Sequence, residues 1–393
     1  MVQISVLLSN LYDNVVDRFS IKLVAGENGL NNVVKWIHMV ENLEISSFLD
    51  GQEIVFTTGI GISSSDELFE LIKENVKNNA SAMVVNIGPY IKEITKEMIA
   101  FCDEVNFPLF IVPWQVKMHR IIKIFCSYIL EAEKKEVEIS GALKSAVFSP
   151  NQVKLYEPVL ERYGFRSESV YRVAIIKTTN HNKSKEYNEV IKLKIEYILR
   201  STKRDTIVVE VENNFVLFFI NTTRDKVKGT CISICDYLNN ELTEMLFFAA
   251  IGDETKEIST LFNSYKQALF SLKLQNTYAQ IDSIIEFSEI GAYKILSQLT
   301  NNVELQTYIK DTIGPLVDYD KLNNTDYVSV LQSYLHLNGR VNEVAKLYYS
   351  HRNTINYKIK RIGRILDCDL SDFSVRFNIE LALMLRNIFR SDE

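Results

Sequence analysis

The sequence predicts a multidomain α/β plus all-α protein: two α/β regions in series, then a helical C-terminal region. Strand-like and helix-like segments alternate between Glu53 and Pro113. A second alternation, rich in β-branched and aromatic runs, fills Val170 to Leu274. Beyond it the patterning is helical and ends in a basic segment. A chain of 393 residues accommodates about two to four domains.

In the first region, Ile54-Val55-Phe56-Thr57-Thr58-Gly59 reads as a buried strand. Ser64 to Asn79 reads as a helix, with Ser64 and Glu67 at capping-box spacing. Ser81 to Gly88 is the next strand, Lys92 to Glu104 the next helix, and Phe107 to Pro113 a third strand. This spacing predicts right-handed parallel βαβ units. Open parallel sheets bind ligands beyond the C-terminal ends of their strands. Those ends are Thr57-Thr58-Gly59, Asn86-Ile87-Gly88-Pro89 and Pro113-Trp114, and the Thr57 loop is the preferred ligand contact. Gly26, Gly29 and Gly59 read as turn glycines. Trp36 and His38 read as core residues.

Gln115 to about Ala146 reads as one long helix, a connector whose apolar spacing fades after Ile129. In the second α/β region, Val170 to Ile176 is a strand and about Tyr187 to Arg200 a helix. Thr206 to Val211 and Phe215 to Ile220 form a hairpin around Glu212-Asn213-Asn214. A helix over Val227 to Leu238, a strand over Phe247 to Gly252 and a helix through Tyr265 and Ala268 complete it. Asp282 to Asp326 reads as mostly helical.

No apolar run approaches the length of a membrane-spanning helix, and Met1-Val2-Gln3-Ile4-Ser5 does not look like a secretory leader. The expectation is a cytoplasmic protein with no membrane partner. Five scattered cysteines make no disulfide framework. Cys231 and Cys235, at i, i+4 on a helix, read as buried thiols. The sequence lacks GxGxxG, GxxxxGK, GxSxG and HExxH patterns, and its five histidines (38, 119, 181, 336, 351) are isolated. No catalytic residue, metal ligand or cofactor is predicted.

The most informative stretch runs from Gly339 to Leu366. From Arg340 to Arg364 there are seven Lys/Arg against one acid, Glu343, so the segment is +6 in a chain of net charge −6. The remainder therefore sums to −12. Val341, Val344, Ala345 and Leu347 give a first helix an apolar face. Ser350 reads as the N-cap of a second helix from about His351 to Leu366. Its inward face is Ile355, Ile359, Ile362 and Ile365 or Leu366, and its outward face Arg352, Asn353, Asn356, Lys360 and Arg364. Arg and Asn are the side chains that read guanine and adenine bidentately in a major groove. Thr354, Tyr357, Lys358 and Arg361 suit phosphates.

The pattern Asn342, Ala345, Leu347, His351, Arg352, Asn353, Thr354, Tyr357 and Arg361 resembles the C-terminal helix-turn-helix of the PucR/CdaR family of bacterial transcription regulators. It is also similar to the DNA-binding end of the factor for inversion stimulation. The flanks agree: Asp318-Tyr319-Asp320 and Leu331 to Leu335 before the turn, Arg376 to Leu383 after it. The turn Tyr348-Tyr349-Ser350 departs from the family's shorter Leu-Gly-Val-like one. Ala25 to Leu30, Val34-Lys35-Trp36, Glu41 and Gly51 to Gly59 look like the N-terminal domain of purine catabolism regulators. Ile251-Gly252-Asp253 followed by Ser264 to Leu269 resembles the GGDEF-like middle domain, a relative of nucleotide cyclases. The hairpin turn here lacks the glycine pair and second acid of active cyclases, which implies a degenerate domain.

The resemblance implies a PucR-like effector-sensing domain over 1–130, a helical connector over 131–165, a degenerate GGDEF-like domain over 166–280 and a DNA-binding region over 281–393, with the helix-turn-helix at about 339–366. It implies double-stranded DNA, a small-molecule effector of unknown identity, RNA polymerase and a second copy of the chain, in a homodimer or higher homo-oligomer, as partners. The DNA-binding residues expected are Ser350, His351, Arg352, Asn353, Thr354, Asn356, Tyr357, Lys358, Lys360, Arg361 and Arg364. The effector-binding residues expected are Trp36, Glu41, Glu53, Thr57, Thr58, Gly59 and Asn86. The function expected is that of a ligand-responsive, sequence-specific regulator, leaning towards an activator, of a catabolic or metabolic operon. Two alternatives stand beside it: a divergent cyclase-like enzyme with a DNA-binding tail, and a nucleoid-architecture protein.

Overall fold

The computed structural model describes residues 6–166, 169–178, 185–201, 206–278 and 283–389. His181 and the first five residues, both read in the sequence, lie outside them. The chain divides into two compact units, Met1–Ser145 with Lys154–Gly164 and Ala146–Val153 with Phe165–Glu393.

The first unit opens with α1 (Leu8–Asp13), α2 (Val16–Phe19), β1 (Lys22–Ala25), β2 (Trp36–Met39), α3 (Leu43–Ser46) and β3 (Glu53–Thr57). It continues with α4 (Ser65–Lys77), β4 (Ala82–Ile87), α5 (Lys96–Glu104), β5 (Leu109–Pro113), α6 (Met118–Phe148), whose last residues belong to the second unit, and α7 (Val153–Arg162). The three expected strands are the centre of a five-stranded sheet, ordered β1-β5-β4-β3-β2. β2 to β5 run parallel, and β1 is antiparallel to β5. The sequence reading missed β1 and β2 because each is only four residues long.

Alternation along the strands sends Ile54, Phe56, Ala82, Val84, Phe110 and Val112 to one face. There they meet Leu8 and Leu11 of α1 and Ile121, Phe125 and Ile129 of α6. Val55, Met83, Val85 and Leu109 point to the other face, against α4 and α5. Ser64 caps α4 by accepting from the Glu67 N–H at 3.2 Å, while Glu67 reaches back to the Ser63 N–H at 2.8 Å. α5 starts at Lys96 rather than Lys92, because the Thr95 hydroxyl caps it by accepting from the Met98 N–H. The end of the connector is a helical hairpin: the Tyr163 hydroxyl of the residue after α7 donates to the Glu138 carboxylate of α6 at 2.6 Å.

The second unit contains β6 (Tyr171–Thr178), α8 (Lys185–Ser201), β7 (Thr206–Val211), β8 (Asn214–Ile220), α9 (Arg224–Glu241), β9 (Phe247–Ile251), α10 (Leu261–Tyr278) and β10 (Ile284–Glu286). Its sheet is ordered β10-β9-β6-β8-β7, antiparallel except for β10 beside β9. α8 and α9 cover one face through Ile191, Ile195, Val227, Cys231, Ile234, Cys235 and Leu238. Cys231 and Cys235 are buried, and burial pushes the Cys235 thiol up to about 12. The stretch expected to be mostly helical also holds β10, which the sequence did not reveal, since a three-residue strand leaves no periodicity to read.

Helices α11 (Tyr293–Leu296), α12 (Val303–Asn323), α13 (Tyr327–His336), α14 (Val341–Leu347), α15 (Arg352–Ile365) and α16 (Phe373–Phe389) follow. They share one core, including Ile313, Leu316, Val330, Leu331, Ile379 and Ala382, which Leu274 of α10 joins. No described helix is long and apolar enough to cross a membrane.

Gly252 follows β9 directly and takes a hydrogen bond from its N–H to the Val173 carbonyl at 2.9 Å. A Cβ there would lie 2.0 Å from the Ser264 carbonyl oxygen of α10. Gly252→Ala is therefore expected to destabilise the second unit by about 1–3 kcal/mol, as overpacking does. Urea denaturation measures it, and an unchanged midpoint would mean the strand and helix are not held this closely.

Candidate nucleic-acid interface

α14 and α15 form a helix-turn-helix whose interior is the contact of small and branched apolar residues. Val344 and Ala345 of α14 and Ile355 and Ile362 of α15 are buried in the same cluster. Ile359, Ile365 and Leu366 pack against it in part. Leu347, expected on the inward face of α14, is instead 55% exposed at that helix's last residue. The N-cap of α15 is His351, not Ser350: its Nδ1 accepts from the Asn353 N–H at 3.2 Å. Helix α15 thus begins one residue later than the serine cap required.

Two isoleucines decide which way α15 faces. Burying each contributes about 1.5–3 kcal/mol, more than any exposed ion pair on the helix, worth about 0–1 kcal/mol. With Ile355 and Ile362 inward, Asn353, Tyr357, Lys360 and Arg364 run along the exposed side. Arg352 and Thr354 are exposed at the N-terminal turn, with Ser350 half-buried and His351 exposed just before them. Asn356 is only half-buried, on the flank. Tyr357, expected to suit a phosphate, is 65% exposed and stands in the middle of this face.

Two of the basic residues are held by the protein itself. The Lys358 ammonium donates to both oxygens of Asp326 at 2.6 and 2.7 Å. The Arg361 guanidinium lies over the Tyr319 ring at 5.7 Å, a cation–π contact. Tyr319 stacks on Tyr327 with ring centroids 5.5 Å apart. Asp320 accepts from the Tyr327 and Val328 N–H groups at 2.9 and 2.8 Å, fixing the start of α13. By contrast, Arg352, Lys360 and Arg364 have no ion-pair partner among the described residues. Sequence reading missed Asp326 and Tyr319 as partners because they stand well before α15, 32 residues from Lys358 in the first case.

Between the two helices Tyr349 takes φ 47° and is 99% exposed. An aromatic residue in the left-handed region is strained, by about 1–3 kcal/mol. Tyr349→Gly is expected to raise the thermal stability of the second unit by about 1 kcal/mol. A lowered melting temperature would show that the tyrosine makes a stabilising contact.

The expected effector residues do not form one site. Glu41 accepts from the Thr57 hydroxyl at 2.9 Å, the Thr58 N–H and hydroxyl at 3.0 and 2.7 Å and the Gly59 N–H at 3.0 Å. This brings Glu41, Thr57, Thr58 and Gly59 together, with the carboxylate already filled by the loop. Trp36 and Glu53 are register partners at the opposite ends of β2 and β3, one strand length from that loop. Trp36 is 47% exposed, correcting its reading as core, and His38 is half-buried. Glu53 is buried and accepts from the Asp50 N–H at 2.8 Å, which holds the turn before β3. Asn86 is buried and donates to the Val112 and Pro113 carbonyls at 3.1 and 3.2 Å, locking β4 to β5.

Three family models match in series. Residues 11–129 match the purine catabolism regulatory protein-like family, 159–274 the GGDEF-like domain and 327–385 the PucR C-terminal helix-turn-helix domain. The DNA-binding transcriptional activator AdeR of Bacillus subtilis (strain 168) is 25% identical over 233 residues, 58% of this chain and 54% of that protein. The proline-responsive transcriptional activator PutR of the same organism is 26% identical over 262 residues, 64% of this chain and 63% of that one. The purine catabolism regulatory protein, also from B. subtilis, is 26% identical over 117 residues, 30% of this chain and 22% of its own length. The chain thus spans less than two thirds of the length of each of these relatives. The domain matches together take in more than half of the sequence, with a PucR-type domain near each end, and the chain belongs to the PucR family of regulators.

Proposed function

We propose that this chain is a ligand-responsive transcription regulator that binds double-stranded DNA through α15 as a homodimer. The observation that carries this reading is the exposed face of α15, where Arg352, Asn353, Lys360 and Arg364 stand unpaired opposite a buried isoleucine ridge. An unpaired Arg or Asn at a helix N-terminus can read base edges, and Lys360 and Arg364 supply phosphate contacts that set affinity. Ser350, His351, Thr354, Asn356 and Tyr357 border this face. Lys358 and Arg361 take a second role as holders of the helix, through Asp326 and Tyr319.

One recognition helix touches few base pairs, so a two-fold pair on half-sites about 34 Å apart supplies the specificity. The names of the relatives, two transcriptional activators and a purine catabolism regulatory protein, support reading this chain as an activator of a catabolic operon that engages RNA polymerase in the cytoplasm. The first unit then senses a small metabolite. A non-catalytic middle domain is favoured by its hairpin: Glu212 and Asn213, at φ 48° and 64°, make a two-residue turn between β7 and β8. That turn has one carboxylate and no glycine, a poor cradle for a metal-bound triphosphate.

Fluorescence anisotropy of the full chain against DNA from its own upstream region, with random DNA as competitor over a salt series, tests the reading. A large specific-over-random ratio with a steep salt dependence is expected. Tight binding with no preference would favour the architectural alternative, and no binding would sink the proposal. Arg352→Ala is expected to lose about 1–3 kcal/mol and relax preference at one base position. Lys360→Ala should flatten the salt slope by about one unit across all sequences, and Lys358→Ala by less, because Asp326 already neutralises it. Equal slopes for the two lysine variants would refute the assignment of Lys358 to its contact with Asp326.

A further inference from the structure

A cavity of about 290 Å³ opens in the first unit at the C-terminal ends of β4 and β5, beside the start of β1. Its place follows from the winding of the sheet. The chain leaves β3 and β4 for α4 and α5, which cover the same face. It leaves β5 for α6, which covers the opposite face. Neighbouring strands whose connections part to opposite faces leave a crevice between their ends, where open α/β sheets bind ligands. β4 and β5 are that pair. The loop after β3 is not at such a point, and its polar groups are filled by Glu41.

The lining is chemically uneven. Ile87, Ile111 and Val112 give it an apolar wall. The Trp114 ring lies so close over Gly88 that a Cβ there would fall 2.6 Å from it, and Tyr90 meets the same ring edge-on at 5.8 Å. Against this wall stand Ser20, Lys22 and Gln115, none with a side-chain partner among the described residues. Lys22 is in register with Ile111 and brings the one ionisable group among the described lining residues, a cation. Asn86 ties the ends of β4 and β5 and so fixes the crevice's width.

We infer that this crevice is the effector site, and that it takes a small organic carboxylate whose apolar body lies against Trp114 while its charge meets Lys22. An ammonium at the rim of an apolar pocket selects an anion, and a charge-assisted hydrogen bond orients it. The inference rests on the reading of the first unit as a sensor and names the sensor's ligand class and contacts.

The chain has two tryptophans, Trp36 and Trp114, at opposite ends of the sheet. In full-length protein carrying Trp36→Phe, Trp114 is the sole tryptophan reporter. Monocarboxylates from butyrate through cyclohexanecarboxylate to benzoate are titrated in, with benzamide as the uncharged control. A saturable change in Trp114 emission is expected for at least one carboxylate, and none for benzamide. Lys22→Met should weaken that binding by about tenfold or more, and Lys22→Arg should restore most of it. Gly88→Ala, which displaces the Trp114 ring, should weaken it independently. Thermal melting of each variant establishes that it is folded.

No saturable change with any carboxylate, or equal binding in folded Lys22→Met protein, would overturn the assignment. DNA anisotropy in the same titrations separates this failure from that of the sensor reading. A carboxylate that alters DNA affinity without touching Trp114 emission overturns the crevice and leaves the sensor. Binding at Trp114 that Lys22→Met weakens, with DNA affinity unmoved, upholds the crevice as a carboxylate site and overturns its role as effector site.

Discussion

Strands β3, β4 and β5 are apolar on both faces, and the first unit depends on covering both. The pleat gives each face an unbroken patch, Ile54, Phe56, Val84 and Phe110 on one side, Val55, Met83, Val85 and Leu109 on the other. Right-handed crossovers place α4 and α5 on a single side. The second patch has to be covered from elsewhere, and α1 and α6 do so. The same step that shields it carries the chain across the sheet after β5. The crevice beside β4 and β5 is a by-product of that burial rule, not a separate feature laid on the fold.

The C-terminal helices obey the same rule with a different period. Ile355 and Ile362 are seven residues apart, two turns of helix, and both go inward. Their burial fixes the rotation of α15, and the basic residues then face outward by default. Charge contributes at the margin. Lys358 and Arg361 land on the flank that meets Asp326 and Tyr319, where they brace the helix from outside its apolar seam. The seven basic residues of the segment are therefore not equivalent.

Local backbone chemistry follows burial as well. The sharp turn before α15 is held by Tyr349 in the left-handed region and by the Tyr348 hydroxyl against that of Ser333, 3.2 Å away on α13. His351 then caps the helix through its ring nitrogen. A serine at position 350 was the stronger cap by residue type, yet the turn's geometry gave the cap to its neighbour. Capping preference is worth about 1 kcal/mol, and the packing of the two helices outweighs it.

The sequence by itself determined the strands of the first sheet that are long and apolar, the two α/β regions, the pair of helices near the C-terminus and the sign of the charge on the second of them. These are written in local periodicity, which depends on neighbours within a few residues. It did not determine β1, β2 or β10, because strands of three or four residues have too few side chains to show alternation. Nor could it give Lys358 its partner Asp326 or place Trp36 at the surface, since residue type does not say what a side chain will meet. Only the tertiary structure decided those, by bringing Asp326 to Lys358 across 32 residues and Lys22 to the end of β5 across most of the first unit. The physical reason is range: propensity and pattern act along the chain, whereas ion pairs, aromatic contacts and crevices exist only once distant segments have been packed together.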